Sequence, residues 1–278
     1  CTKNRLLKKR FKFTNSVFNL MADFRIEKDY LGEKKIPSNA YYGIHTERSL
    51  ENFQIKKPLQ KELIYSIVQI KKACAQTNFE LKELQENKKK AIIKACEEIL
   101  SGKFDDQFQL SVFQAGSATS THMNVNEVIA NRAIEILSGK KGDYKIIHPN
   151  DDVNKGQSTN NVIPSAIRIS SIKKGTKLEL ALSELIKSFS KKAKEFRTII
   201  KCGRTHLQDA VPITLGQEFS AYEKALSKHL QKIKESKKYL NEIIMGGSAV
   251  GTGINTYSDF GKKATKHLSK ETGLQLKE

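Results

Sequence analysis

The side chains best suited to chemistry are small alcohols and amides, and they concentrate in four short polar segments. Segment A covers residues 116–124 (GSATSTHMN), segment B 148–161 (HPNDDVNKGQSTNN), segment C 203–209 (GRTHLQD) and segment D 246–255 (GGSAVGTGIN). Hydroxyl and amide groups donate hydrogen bonds, and a helix N-terminus adds unpaired N–H groups and a positive dipole end. Because each segment adjoins a predicted helix, the four together are expected to form a cradle for a small polyanion such as a dicarboxylate.

Each segment taken alone is equally compatible with a capped turn that binds nothing. The glycines of segment D suggest a nucleotide loop, but the segment lacks the G-K-[S/T] ending and follows no predicted strand. The 4 cysteines form no C-x-x-C pair and have no metal-ligand spacing with the 6 histidines. The sequence therefore predicts neither a metal nor a cofactor, and it favours a reduced, intracellular protein.

Apolar residues at helical spacing predict the elements that position these segments. Three helices are expected at about 63–84, 88–100 and 126–137, and two longer apolar stripes run from Leu178 to Phe196 and from Phe219 to Ile233. Pro164 suits the first turn of another helix, with Asn160 or Asn161 as its cap. Strand signals are sparse.

These elements predict a mainly α-helical fold with two domains. A mixed helical N-terminal domain is expected at 21–160, followed by an incomplete bundle of long helices at 161–278. A length of 278 residues accommodates two domains of ordinary size.

The charge of the chain is strongly positive, with 49 Lys and Arg against 30 Asp and Glu, a net +19. Most of these lysines are scattered along helical stretches, which is typical of solvated helix faces, and this interpretation is favoured over a nucleic-acid surface. No apolar run approaches the roughly 18 residues of a membrane-spanning helix. Nucleic acid and membrane are therefore not expected as partners.

The two ends of the chain carry separate predictions. Residues 1–20 are basic and free of acids, and they are either an organellar presequence or sequence upstream of a start at Met21. The location is expected to be cytoplasmic, or organellar if residues 1–20 are a presequence. At Glu278 no cap or tail signal follows the last helical stretch, so a C-terminally truncated chain is expected.

In their order along the chain, segments A to D resemble the signature segments of the aspartase/fumarase superfamily. The stretch 26–53, which includes YYGIHT at 41–46, and the motif GRTHLQDAVPITLGQ at 203–217 are also similar to that family. The resemblance covers nearly everything from Phe24 to the end, and its nearest members are aspartate ammonia-lyases and class II fumarases.

The choice between these two activities depends on small differences. YYGIHT at 41–46, KGDY at 141–144 and QSTN at 157–160 resemble aspartases, whereas HPND at 148–151 occurs in fumarases. The resemblance therefore favours an aspartate ammonia-lyase, which eliminates ammonia reversibly from L-aspartate to give fumarate. The alternatives are a class II fumarate hydratase and, in another class, an inactive fragment or basic binding protein.

The resemblance also implies which residues bind the substrate. Such enzymes remove a proton beside a carboxylate, and aligned hydroxyls, amides and helix ends stabilise the resulting dianion without a metal. The substrate-binding residues implied are Thr119, Ser158, Thr159, Asn160, Thr205 and His206, and the implied site wall is His122, Thr252 and Asn255. His206 is alternatively a structural histidine.

Three positions depart from the family's pattern. Ala118 replaces a usual glycine, His122 a usual asparagine and Asn161 a usual aspartate. Each either alters substrate preference or marks a nonfunctional copy. If His122 adds positive charge near a carboxylate, activity is expected to change near pH 6.5.

The resemblance implies a homotetramer whose active sites are shared among subunits. The family's proton-abstracting serine lies in a loop of S-S-x-M-P-x-K-x-N type, and no such segment occurs among these residues, since none of Met21, Met123 and Met245 precedes a proline. The catalytic residue is therefore unknown. The 278 residues alone are expected to bind a dicarboxylate weakly and to have no lyase activity.

Overall fold

The computed structural model describes residues 23–278, which fold mainly into α-helices, as the sequence predicts. The elements in chain order are β1 (Phe24–Asp29), β2 (Gly32–Pro37), α1 (Ile44–Asn52), α2 (Lys61–Glu80), α3 (Glu86–Leu100), α4 (Thr119–Ile136), α5 (Thr159–Glu195), β3 (Ile200–Thr205), β4 (Gln208–Thr214), α6 (Leu215–Leu240) and α7 (Phe260–Thr272). Short helical turns occupy Asp105–Gln107, Gly116–Ala118 and Pro149–Val153. The leader or upstream extension predicted at 1–20 lies outside the described residues.

The core of the molecule is built around α2. This helix packs against α3, α4, α5 and α7, and one continuous apolar cluster joins them. Completely buried members of that cluster include Ile67 of α2, Ile129 of α4, Ile169 of α5 and Leu268 of α7. Each such side chain stabilises the fold by about 1.5–3 kcal/mol. The core therefore includes residues from both sides of the domain boundary predicted near 160.

The start of α1 is fixed by a carboxylate from α4. Glu127 accepts hydrogen bonds from the backbone N–H groups of Gly43 (3.0 Å), His45 (2.9 Å) and Thr46 (3.1 Å). First-turn N–H groups have no partner within their own helix, so this buried carboxylate takes the place of a cap. Glu127 thereby holds the N-terminal part of the chain against α4, the helix that begins in segment A.

Helix α4 begins at Thr119, earlier than the predicted start near residue 126. The sequence of segment A is polar and therefore resembles a loop. In the structure its polar side chains point into the interior, where no more than 2% of Ser120, Thr121, His122 and Asn124 is exposed. They are paired there: the Ser49 hydroxyl donates to Ser120 (3.0 Å), and the Asn124 amide donates to the Gln107 carbonyl (3.2 Å).

Helices α5 and α6 form an antiparallel pair that extends beyond the core. The 37 residues of α5 span roughly 55 Å, but none after Ile172 is buried, and Gly216 is the one buried residue of α6. The pair is joined by aromatic contacts such as Phe196 to Phe219, with ring centroids 5.4 Å apart. We call residues 173–240 the arm.

Segment C adopts a different structure from the one predicted. It adjoins no helix and instead forms the turn of the antiparallel hairpin β3–β4, at the end of α5. His206 and Leu207 occupy the turn with φ of 48° and 62°, the left-handed pair that a tight two-residue hairpin requires. Gly203 is the one buried residue of the two strands, so neither strand needs alternating apolar and polar residues, and the strand signal in the sequence is weak.

None of the helices within residues 23–278 combines the length and the apolar character that crossing a bilayer requires.

Candidate active site

Segments A and B meet where α4 and α5 begin. Thr159 is the first residue of α5, and its Oγ1 lies 2.8 Å from Nδ1 of His122 in the first turns of α4. Thr119, the first residue of α4, lies three positions before His122 and therefore on the same face of that helix. Two helix N-termini thus converge, and each brings unpaired N–H groups and a positive dipole end to the same place.

A sharp bend directs the chain into α4. Ser117 and Ala118 both have positive φ, 59° and 58°, in the left-handed region that favours glycine. An alanine there costs about 1–2 kcal/mol relative to an ordinary helical conformation, so Ala118 is strained at a position that suits glycine. The turn Gly116–Ala118 packs against α5, and this contact keeps Thr119 close to the start of α5.

Ser158 caps α5, so the prediction of Asn160 or Asn161 as the cap is wrong. Its Oγ accepts a hydrogen bond from the backbone N–H of Asn160 (3.2 Å), and its own N–H donates to Oδ1 of Asn161 (2.9 Å). This reciprocal arrangement is a capping box, in which the side chain at the third helical position completes the cap. The helix start is therefore rigid, and Pro164 lies within the first two turns.

Two amide side chains of α5 join segment B to segment D and to Met245, the residue just before it. Asn160 donates from Nδ2 to the carbonyl of Ala249 (2.7 Å), and Asn161 donates to the carbonyl of Met245 (2.7 Å). Between the start of α5 and segment D lies an open groove of about 570 Å³, lined by Asn160, Asn161 and Thr252 among others. Asn255, which is exposed, is not among the residues that line this groove.

The remaining predicted residues, Thr205 and His206, lie elsewhere. Both are exposed at the tip of the β3–β4 hairpin, and α5 separates this tip from Thr159 by most of its length of roughly 55 Å. Among residues 23–278 no hydrogen bond links their side chains to segments A, B or D. A single copy of the described chain therefore brings together three of the four segments.

The predictions from sequence missed Lys71, which lies beside this convergence. Lys71 is completely buried on α2, and its ammonium group contacts Nε2 of His122 (2.6 Å), Oδ1 of Asn154 (2.7 Å) and Oε1 of Gln157 (2.8 Å). The available signal was its position within an apolar stripe, four residues after Ile67. A charged side chain there is rarely buried without dedicated partners.

Burial controls the charge of both basic groups. Loss of solvation, followed by repulsion from Lys71, holds the pKa of His122 well below its usual 6.5. Loss of solvation also lowers the pKa of Lys71 to about 7. His122 is therefore neutral at pH 7, and the expectation that its charge changes near pH 6.5 is corrected. Residues 23–278 contain no group of three or more His, Cys, Asp and Glu side chains placed to hold a metal.

Comparisons with known proteins agree on the family of this chain. A family model described as "Lyase" matches residues 32–278. Aspartate ammonia-lyase of Bacillus subtilis is 48% identical over 261 residues, which is 94% of this chain and 55% of that protein. Class II fumarate hydratase of Wigglesworthia glossinidia brevipalpis is 53% identical over 247 residues, 88% of this chain and 53% of that protein.

A solved structure shares the fold. The fumarate lyase:delta crystallin from Brucella melitensis, determined with bound cobalt, superposes with a TM-score of 0.88 at 45% identity, covering 92% of this chain and 56% of that one. The chain thus spans about half the length of the relatives it matches. With the family model, the sequence identities and the fold in agreement, the chain belongs to the lyase family of the aspartase/fumarase superfamily.

Proposed function

We propose that these residues form the dicarboxylate-binding part of an aspartate ammonia-lyase, which converts L-aspartate into fumarate and ammonia. The observation that carries the proposal is the contact of 2.8 Å between His122 and Thr159, because it joins the starts of α4 and α5. Thr119, Ser158, Thr159 and Asn160 are then grouped around two converging helix N-termini. They are proposed to bind one end of the substrate.

The chemistry of elimination suits such a site. Removing the proton beside a carboxylate creates a second negative charge on that group, and fixed donors lower the barrier by stabilising it. None of the residues proposed to bind substrate carries a negative charge. The capping box at Ser158 keeps the donors in place before the substrate arrives.

Aspartate is proposed as the substrate because of the aspartase-like motifs at 41–46 and 157–160 and the relative from Bacillus subtilis. The second candidate is a fumarate hydratase, which acts on malate and fumarate. The fumarase-like HPND at 148–151 and the relative from Wigglesworthia favour it. The two substrates differ in one group, an amine in aspartate and a hydroxyl in malate.

A complete site is proposed to need a second copy of the chain. Thr205 and His206 are too far along the arm to reach Thr159 of their own copy. In a homotetramer with antiparallel arms, the hairpin of one subunit would bring them to the helix starts of another. A cytoplasmic location is proposed with this function.

The test is equilibrium binding of L-aspartate and L-malate to the 278-residue chain, measured by titration calorimetry. We expect aspartate to bind more tightly than malate and Thr159→Ala to weaken both. Tighter binding of malate would favour the hydratase, and binding of neither, with a folded chain by circular dichroism, would contradict both activities.

A further inference from the structure

Lys71 is surrounded by as many acceptors as it has protons to donate. A lysine ammonium has three N–H donors and no acceptor. Its three contacts, to His122 Nε2, Asn154 Oδ1 and Gln157 Oε1, have lengths between 2.6 and 2.8 Å. Each contact takes one donor, so the group is fully satisfied without water or a carboxylate.

While Lys71 is protonated, this geometry determines which nitrogen of His122 carries the proton. Because the ammonium only donates, Nε2 has to accept and is therefore unprotonated. A neutral imidazole carries its single proton on the other nitrogen, so Nδ1 is the donor. Nδ1 lies 2.8 Å from Oγ1 of Thr159, and that hydroxyl oxygen is therefore the acceptor of the bond.

We propose that Lys71 and His122 form a buried positioning pair that fixes the direction of hydrogen bonding at Thr159, so that its hydroxyl proton stays free for a carboxylate of the ligand. The proposal rests on the proposed function as a dicarboxylate site. In the opposite tautomer, Nδ1 accepts the proton of Thr159 and the hydroxyl no longer donates to an anion. Lys71 and His122 touch no ligand themselves and act through Thr159.

In the described part of the chain, the ionisable groups on and around α2 form no ion pair with Lys71 or His122. The titratable groups closest to Lys71 are His122 of α4 and the thiols of Cys74 and Cys96. Burial raises the pKa of both thiols, that of Cys74 to about 12. The carboxylates of α2 and of the helices packed against it pair with residues other than Lys71. Glu97 of α3 and Glu271 of α7 bind Lys72, Glu80 binds His267 of α7, and Glu62 binds Lys174 and Lys177 of α5.

A dependence on pH follows from the burial of Lys71. When its ammonium loses a proton, the amine gains a lone pair that can accept from Nε2–H, and the tautomer of His122 is no longer fixed. Since the pKa of Lys71 is lowered to about 7, dicarboxylate binding is expected to weaken as the pH rises through about 7. The bound anion favours the charged lysine, which moves the midpoint upward.

The direct test is the ¹⁵N spectrum of His122 in the 278-residue chain, read from long-range proton–nitrogen couplings at about pH 6, below the lysine pKa. The expected result is a protonated Nδ1 and an unprotonated Nε2. In Lys71→Met the preference for a proton on Nδ1 is expected to shrink or reverse. The adjacent lysine, Lys72, binds Glu97 and Glu271, so Lys72→Met is expected to leave that preference unchanged. Protonation at Nε2 in the unaltered chain would overturn the proposal.

The second test is dicarboxylate binding as a function of pH. Lys71→Met and His122→Leu are each expected to weaken binding about three- to tenfold, the effect of one misdirected donor, and to flatten the pH dependence. His122→Asn keeps an amide donor where Nδ1 lies and is expected to restore most of the affinity without the pH dependence. Comparing His122→Asn with His122→Leu also tests the proposal if Lys71→Met fails to fold.

The outcomes distinguish failure of the positioning role from failure of the proposed dicarboxylate-binding function. Unchanged affinity and an unchanged pH profile in His122→Leu would overturn the positioning role even if the tautomer is as expected. If the unaltered chain binds no dicarboxylate, the proposed function fails and the role at Thr159 fails with it. The spectrum alone would then still establish whether Lys71 fixes the tautomer.

Discussion

Lys71 is a charged side chain at a position where an apolar one would stabilise the fold more. Removing an ammonium from water is expensive, and good hydrogen bonds offset only part of that cost. The neighbouring core residues, such as Ile67 and Ile70, are apolar and completely buried. We assign to this lysine the role proposed above, the orientation of His122 and Thr159.

This burial predicts how stability depends on pH. The folded chain releases the Lys71 proton at about pH 7, whereas the unfolded chain keeps it up to about 10.5. The unfolded state binds more protons within that window, so the free energy of unfolding should rise with pH, by at most about 1.4 kcal/mol per unit. Below pH 7 both states are protonated and the contribution is flat.

Chemical denaturation from about pH 7.5 to about pH 9, above the titration of His122 and of Glu127, whose pKa burial raises to about 7, measures this rise. We expect it in the unaltered chain and in Lys72→Met, whose lysine has a raised pKa and does not titrate there. It should be absent from Lys71→Met. Parallel curves for the unaltered chain and Lys71→Met would show that Lys71 does not titrate in this range.

At this scale the sequence predicts which residue types matter but not which of them meet. Hydroxyls and amides in segments A, B and D could be singled out because they interrupt the apolar spacing that predicts helices. The structure brings these segments together. The burial of Lys71 depends on α2, α4 and segment B packing at one point, and no local pattern encodes that. The separation of Thr205 and His206 follows from the length of α5.

At the scale of elements, the start of α5 has both a structural and a proposed binding role. Ser158 and Thr214 are equivalent in structure, since each caps a long helix through a capping box, with Asn161 and Gln217 as the respective partners. They differ in location, because Thr214 begins α6 in the arm. Comparing Ser158 with Thr214 therefore distinguishes the stability lost with a helix cap from the affinity lost with a hydrogen-bond donor to the ligand.

We expect Ser158→Ala and Thr214→Ala to lower the free energy of unfolding by similar amounts, about 1 kcal/mol each. Only Ser158→Ala should also weaken dicarboxylate binding, because its hydroxyl lies at the converging helix starts. Denaturation and calorimetry on the same two variants check both statements. Equal affinities would assign Ser158 to the fold alone.

The fold was predictable where an apolar stripe is continuous. Helices α2 and α3 begin within two residues of the predicted starts. Helix α6 contains one long stripe, and α5 contains the other except for its last residue, Phe196, which caps the helix. The start of α4 was not predictable, because buried polar side chains look like a loop in sequence. The hairpin β3–β4 was missed because strands with both faces exposed show little alternation of apolar and polar residues.

At the scale of the molecule, the arm is the part with least support from the core. Large apolar side chains are exposed along it, including Leu178 (48%), Leu185 (43%), Ile200 (76%) and Val211 (66%). An exposed apolar surface of this extent is typical of an interface with another chain. The proposed homotetramer would cover it and would also complete the site with Thr205 and His206.

We therefore expect the chain, 31.4 kDa as a monomer, to sediment as a larger species at micromolar concentration. Leu178→Lys combined with Leu185→Lys changes one face of α5 and should lower the sedimenting mass. Ile55→Lys, at a position 66% exposed outside the arm, is the matched control and should have no effect. A monomer in the unaltered chain would contradict the assembly.

The net charge of +19 provides a competing explanation for anion binding, namely non-specific electrostatic attraction. Scattered lysines attract dicarboxylates without a site, and this attraction weakens at about 0.15 M salt, where the screening length is about 8 Å. A specific site differs in two respects. It saturates at that salt concentration, and it perturbs only its own residues.

The most direct test of a dicarboxylate site at the two helix starts is a titration of the ¹⁵N-labelled chain with fumarate at about 0.15 M salt, following the backbone amide signals. We predict saturable shifts at Thr119, Ser158, Thr159 and Asn160, with a dissociation constant on the order of 1 mM, and their loss in Thr159→Ala. Shifts spread over the lysines of the arm, or none at these four residues, would contradict a dicarboxylate site at the starts of α4 and α5.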